Sequence, residues 1–308
     1  MLERDGLQIP LKIYQPEDGV VNQIVLGVHG LGSSKESTVL AAIGEEMLLY
    51  HTATICFDFP AHGESPMSDR ELRLENCGCS LMAVVEYAQE TYPEVTDYGV
   101  FATSFGAYVT LLTLEALEMM LGQVKIVLRS PAVRAADILL RIADVEEGEF
   151  FRSGRVMYGF RRKLEIPYSL YEDLKNNPAM MNYESPMLIL QGDEDDVVPL
   201  EDVLTFRRLN DESKLVIFRE TDHRFTQEGE KDRIVDLTRD WFRFEKVLLD
   251  DWQEDNTAQW EQRASAGLLS QSCSMKNGKY TKYSRIFHPF DRFKISRRIA
   301  LSHYAVLP

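Results

Sequence analysis

"VFATSFGAYVTLLTL", residues 100–114, is the stretch whose reading decides the fold. Val100, Phe101 and Ala102 are apolar and strand-like, and a helical apolar spacing takes over directly after Ser104. The residues two positions either side of the serine, Ala102 and Gly106, have almost no side chain. A strand that turns sharply into a helix holds a serine out at the carboxyl edge of a sheet, and crowding at the turn demands small neighbours. Ala102-Thr103-Ser104-Phe105-Gly106 matches G-x-S-x-G except for one methyl group at Ala102. The competing use of such a serine is a plain helix N-cap. A serine hydroxyl is a weak nucleophile, so the catalytic reading requires a histidine base and a carboxylate to orient it.

The surrounding chain alternates strand and helix. "QIVLGVHG" (23–30), "TATICFDF" (52–59), "DYGVFA" (97–102), "VKIVLRSP" (124–131), "PMLILQG" (186–192) and "KLVIFRE" (214–220) are short apolar or β-branched runs. Between them stand helical patterns such as "ESTVLAAIGEEMLLY", "LEDVLTFRRL" and "EKDRIVDLTRDWFRF". "QIPLKIYQP" alternates like an edge strand. Ser68 to Glu71 is spaced as a capping box opening a helix to about residue 90, and Ser169 and Glu172 are spaced as another. Strand–helix–strand repetition means a mostly parallel sheet with helices on both faces. The alternation lapses over about 132–184, which reads as a helical insertion forming a small lid over the sheet's carboxyl edge.

Three histidines follow Ser104: His223, His288 and His303. His223 lies in "ETDHRF" just after a strand, where a base can reach the corner; the other two lie in a basic tail. The acid is expected after the preceding strand, where "LILQGDEDDVVP" offers Asp193, Glu194, Asp195 and Asp196. Adjacency alone does not choose among four neighbouring acids.

At this point the chain resembles the α/β-hydrolase superfamily. "LILQGDEDDVVPLED" followed by "ETDHRF" looks like that family's acid and base loops, whose pattern is G-x-x-D-x-x-V-P. Gly192, Val198 and Pro199 align, which makes Asp195 the acid; Gln191 fits the position before the glycine. "GVHGLGSSKES" resembles the family's oxyanion strand, so the backbone N–H groups of Leu31 and Phe105 are the implied oxyanion donors. "FDFPAHGES" resembles the D-x-P-G-x-G-x-S loop, with Asp58, Pro60, Gly63 and Ser65 in matching places. His29 and His62 read as structural. The resemblance covers roughly residues 5–248. More narrowly, Ser130-Pro131-Ala132 and an insertion of about fifty residues resemble the bacterial cinnamoyl or feruloyl esterases.

The resemblance implies a serine hydrolase that cleaves carboxylic esters, including aromatic acyl esters, through an acyl-enzyme. Ser104, His223 and Asp195 would form its triad, acting on a small-molecule ester. The insertion's aromatics suggest Phe150, Phe151 and Tyr158 as substrate contacts, with packing of the insertion itself as the competing reading. Its basic stretches at 152–155 and 161–163 read as solvated, with recognition of a substrate carboxylate as the alternative. Other readings are a serine exopeptidase of the prolyl aminopeptidase-like branch, with Glu146, Glu147 or Glu149 anchoring the substrate amine; a thioesterase or acyltransferase; and a non-catalytic binding protein on the same scaffold. Serine at position 104 excludes dehalogenase chemistry, which needs aspartate there.

Composition agrees with a globular enzyme: 308 residues, 44% hydrophobic and 27% charged. A net charge of −15 disfavours nucleic acid and anionic membranes as partners. No phosphate loop, dinucleotide motif or metal cluster is seen, so no cofactor is implied. The C-x-C of Cys77 and Cys79, with Cys56 and Cys273, fits reduced thiols in a cytoplasmic protein better than a zinc or disulfide framework. No secretory signal is read at the N-terminus. Residues 256–308 hold nine Lys/Arg against two Asp/Glu, a balance of +7, so the first 255 residues carry −22. That reversal places a boundary near 250: a hydrolase domain over 1–250 and a poorly ordered basic extension over 251–308.

Overall fold

The computed structural model describes residues 1–159 and 163–244. The expected basic extension, with Phe160, Arg161 and Arg162 of the insertion, lies outside the described residues.

Strands β1 (Leu2–Arg4) and β2 (Leu7–Ile9) form a hairpin around Asp5 and Gly6, both at positive φ. Pro10, which has no N–H to donate, separates β2 from β3 (Leu11–Tyr14). The body then alternates: β4 (Gln23–Val28), α1 (Thr38–Leu48), β5 (Thr52–Phe57), α2 (Leu74–Thr91), β6 (Asp97–Thr103), α3 (Phe105–Leu121) and β7 (Val124–Arg129). After the inserted segment come β10 (Met187–Gly192), α7 (Leu200–Leu209), β11 (Lys214–Phe218) and α8 (Glu230–Phe244). The segment itself holds α4 (Ala135–Ile142), α5 (Glu147–Ser153), β8 (Arg155–Tyr158), β9 (Leu164–Pro167) and α6 (Tyr168–Asn176).

Seven strands form one sheet in the order β11-β10-β7-β6-β4-β5-β3. Every pairing is parallel except the edge pair β3–β5. β4, β5 and β10 are buried along their whole length, which is why they read as unbroken apolar runs. One face packs against α1 and α8, where Leu40, Ile43 and Met47 meet Ile234, Trp241 and Phe242. The larger core on the other face draws on α2, α3 and α7. From β4 the chain first moves one way to β5 and then the other way to β6. The carboxyl ends of β4 and β6 therefore flank a topological switch point, the place where open α/β sheets bind ligands.

Three sequence expectations change in detail. Ser68 and Glu71 do pair, the Ser68 N–H donating to the Glu71 carboxylate at 2.7 Å, but they bracket a single 3-10 turn at Asp69–Glu71. The chain then bends to bury Leu72, and α2 starts only at Leu74. Ser169 does not cap α6: pairing of β9 with β8 keeps the chain extended to Pro167, so the helix begins at Tyr168 and encloses Ser169. The inserted segment is also not purely helical. It contains the β8–β9 hairpin, in which only Leu164 and Ile166 of β9 are buried.

Gly99 of β6 lies flat under Phe242 of α8; a Cβ there would come within 2.8 Å of the ring. Overpacking of this kind costs about 1–3 kcal/mol. Gly99→Val is therefore expected to lower unfolding free energy by about that much in urea titrations, with unchanged secondary structure by circular dichroism.

Candidate active site

β6 ends at Thr103, and Ser104 follows at φ +51° and ψ −115° before α3 begins. The corner is forced by close packing. A Cβ on Gly106 would sit 2.4 Å from the His29 carbonyl oxygen and 2.8 Å from that of Val28, so α3 approaches β4 as closely as only glycine permits. The Ser104 N–H donates to the Arg129 carbonyl at 2.9 Å, and its own carbonyl accepts from Tyr108 and Ala132. Ser104, β7 and the start of the inserted segment are thus tied at one point. Ala102, where glycine would match the pattern, is fully buried in the core.

The loop after β10 carries Asp195, the expected acid. The Asp195 side chain is fully buried. Its Oδ1 accepts the N–H groups of Val197 (2.9 Å) and Val198 (2.7 Å), and Oδ2 accepts the Gln191 amide at 3.2 Å. The ring Nδ1–H of His223 donates to the same carboxylate at 2.9 Å. Burial alone would raise this carboxyl group, but the His223 hydrogen bond and charge and the Val198 N–H outweigh it and hold it below the usual aspartate value. Among its acidic neighbours, Glu194 and Asp196 are exposed, and Asp193 accepts a long bond from the Thr221 N–H at 3.4 Å. The loops after β10 and β11 are pressed together: a Cβ on Gly192 would lie 2.3 Å from the Thr221 carbonyl.

The loop after β4 holds the expected oxyanion donors. His29 is buried and spans two strands' ends, its Nδ1–H donating to the Gly30 carbonyl (2.8 Å) while Nε2 accepts the Phe59 N–H (3.1 Å). His62 repeats the arrangement, with Nδ1–H to the Pro60 carbonyl (2.8 Å) and Nε2 accepting the Gly32 N–H (2.9 Å). Asp58 accepts the N–H groups of Lys35 and Glu64, and the buried Lys35 ammonium at 3.2 Å. Leu31 is thereby fixed between two pinned glycines. Among the described residues, neither the Leu31 nor the Phe105 N–H has a protein acceptor.

Ser104, Leu31, Phe105 and His223 all line one cleft of about 820 Å³. Its walls differ. On the side of the inserted segment they are apolar, from Ile138, Leu139 and Ile142 of α4 and Leu170 and Leu174 of α6. On the α1 and α8 side they are mixed, with Ser33, Ser34, Arg129, Arg224 and Lys231 beside Val39, Phe225 and Ile234. Of the three aromatic residues expected to meet substrate, Tyr158 alone lines the cleft, packed over Gly32. Phe150 is fully buried between Tyr168 and Tyr171, and Phe151 lies outside with most of its surface in solvent. These two side chains build the inserted segment and do not face the cleft. The α4 wall was readable in principle from the spacing of Ile138, Leu139 and Ile142; nothing in the sequence pointed to Arg129. Among the described residues no group of His, Cys, Asp and Glu is placed to hold a metal, and no helix is long and apolar enough to cross a membrane.

No protein-family model matches the sequence, and no curated protein matches it. Solved structures do resemble the fold. Est1E from Butyrivibrio proteoclasticus, solved with ferulic acid bound, superposes with a TM-score of 0.67 at 20% identity, over 77% of this chain and 95% of that one. Alpha/beta hydrolase domain-containing protein 10 from mouse gives 0.61 at 15% identity, over 76% and 94%. A thermophilic esterase from Thermogutta terrifontis, solved with malate bound, gives 0.56 at 18% identity, over 77% and 93%. The fold is the α/β-hydrolase fold.

Burial pushes the His29 imidazole down to about 4. The unfolded chain takes up this proton near the ordinary histidine value of about 6.5, so the folded state loses stability as pH falls from there towards 4. The loss from this group is about 3 kcal/mol when complete. His29→Gln is expected to flatten the slope of stability against pH between 7 and 4.5, read by urea denaturation at each pH.

Proposed function

We propose that the protein is a serine hydrolase of carboxylic esters working through an acyl-enzyme. The observation that carries this reading is the buried Asp195 carboxylate on His223 Nδ1, with His223 and Ser104 lining the same cleft as two N–H groups that lack protein acceptors. Asp195 fixes the tautomer that leaves His223 Nε2 free to act as base. Ser104 Oγ attacks the ester carbonyl while His223 Nε2 takes its proton. The carbonyl oxygen becomes an oxyanion held by the Leu31 and Phe105 N–H groups, each such donor being worth about 3 kcal/mol of barrier. The tetrahedral intermediate collapses with the proton passing from His223 to the leaving alcohol. Water then enters, gives its proton to His223, attacks the acyl-enzyme and releases the acid with Ser104 restored.

The apolar wall from α4 and α6 suits an alkyl or aryl portion of the substrate, in keeping with the ferulic acid seen in Est1E. We read the inserted segment as the lid that sets this preference. The exopeptidase reading is weakened because Glu146, Glu147 and Glu149 do not line the cleft, and Glu147 is engaged by Lys175 at 2.6 Å. Thioester cleavage and acyl transfer share the acyl-enzyme and differ only in leaving group and acceptor.

Ser104→Ala is expected to lower kcat for 4-nitrophenyl butyrate on the order of 10⁴-fold or more with an unchanged melting temperature. Near-normal turnover by this variant would remove the assignment. Asp195→Asn is expected to cost on the order of 10⁴-fold, because an amide in that place stabilises the wrong histidine tautomer. Asp196→Asn, at an exposed position, should cost little. If the two results were exchanged, the acid would be Asp196.

A further inference from the structure

Arg129 ends β7 beside the nucleophile, and its side chain passes to the α1 and α8 face of the sheet, where it lines the cleft. The guanidinium is poorly provided for. Among the described residues its one hydrogen bond is a long one, 3.5 Å to the Arg224 carbonyl, and its Nε is buried with no partner. It lies 5.1 Å from the centre of the Phe225 ring, which favours a cation but removes no charge. No carboxylate reaches it at ion-pair distance: Asp195 is committed to His223, and Asp222 to the N–H groups of Arg224 and Thr226. A half-buried guanidinium whose Nε is shielded from water without a partner, and which has no carboxylate at ion-pair distance, is costly and calls for an explanation.

The remaining charged side chains of the cleft add to this. Arg224 and Lys231 are cations at the same wall, while Glu36 is already engaged by Lys12 at 2.5 Å and Lys35 at 3.8 Å. A cationic cleft stands out in a chain whose first 255 residues carry −22. Burial presses the Arg129 guanidinium down to about 10 despite the charges of Asp195 and Asp222, which still leaves it protonated at neutral pH.

We infer that Arg129 is the anchor of an anion subsite, and that the preferred substrate is an ester carrying a carboxylate at the end opposite its apolar portion. This rests on the esterase reading above and names its substrate class. A planar carboxylate would accept two parallel N–H bonds from the guanidinium, a fit an ammonium cannot offer. The apolar wall would take the rest of the molecule, leaving the ester carbonyl at Ser104 between the two.

The test uses two pairs of esters matched in shape. 4-Acetoxybenzoate against 4-acetoxybenzamide puts the charge on the leaving group; monomethyl terephthalate against methyl 4-carbamoylbenzoate puts it on the acyl group. In one pair the carboxylate is expected to be favoured at least tenfold in kcat/KM, chiefly through KM. Arg129→Met is expected to cut that ratio at least tenfold, and Arg129→Lys to retain part of it. A ratio near one in both pairs overturns the inference. So does an unchanged ratio in Arg129→Met with both rates reduced, which would make Arg129 a clamp on the His223 loop. Calorimetric binding of 4-hydroxybenzoate and 4-hydroxybenzamide, and of monomethyl terephthalate and methyl 4-carbamoylbenzoate, to Ser104→Ala separates the two levels of the argument. Carboxylate-selective binding that Arg129→Met abolishes, without turnover of any ester, would sink the hydrolase reading and keep the subsite; equal binding within both pairs would sink the subsite.

Discussion

The close approach of α3 to β4 at Gly106 is the constraint on which the rest of the cleft depends. No side-chain carbon fits between that residue and the carbonyls of Val28 and His29. The helix can begin there only if the preceding residue turns through positive φ, and Ser104 is that residue. A strained backbone at such a place persists because the surrounding packing overdetermines it. The same approach brings the loop after β4 beside the first turn of α3, so the N–H groups of Leu31 and Phe105 come from two elements already held in contact.

Two imidazoles extend that constraint outwards. His29 and His62 each donate from Nδ1 to a carbonyl and accept a backbone N–H at Nε2. Each ring thus stitches the loop after β4 to the loop after β5. The buried pair of Asp58 and Lys35 fills the space beneath, with Gly63 so close that a Cβ would lie 2.2 Å from the Asp58 carboxylate. Polar side chains do here what a regular ladder does inside the sheet: they satisfy loop backbone that would otherwise be buried without partners.

Much of this was legible in the sequence. Fully buried parallel strands must be apolar throughout, so β4, β5 and β10 declared themselves. The corner at Ser104 declared itself because its neighbours had to be small. Asp195 and His223 lie where strand-end loops of adjacent strands converge, and of four neighbouring acids the resemblance pointed to Asp195, the one whose carboxylate meets His223. What was not legible depended on which way side chains face. Phe150, Phe151 and Tyr158 are alike in composition, yet one packs inside the inserted segment, one meets solvent and one lines the cleft. The β8–β9 hairpin was hidden because only two of its eight residues are buried. Arg129 read as an ordinary charged strand end, since a linear pattern does not reveal that no carboxylate stands opposite it.

The sheet order has a consequence for how the molecule is made. Asp195 and His223 follow neighbouring strands, β10 and β11, while Ser104 follows β6, with β7 between. These pairings join residues 104, 195 and 223, which are far apart along the chain and must come together late, because closing long loops precedes any reward from the contacts. A nascent chain that has formed only its first strands and helices has Ser104 at its corner but lacks the His223–Asp195 pair. Assembly of the cleft is thus coupled to the last long-range pairing.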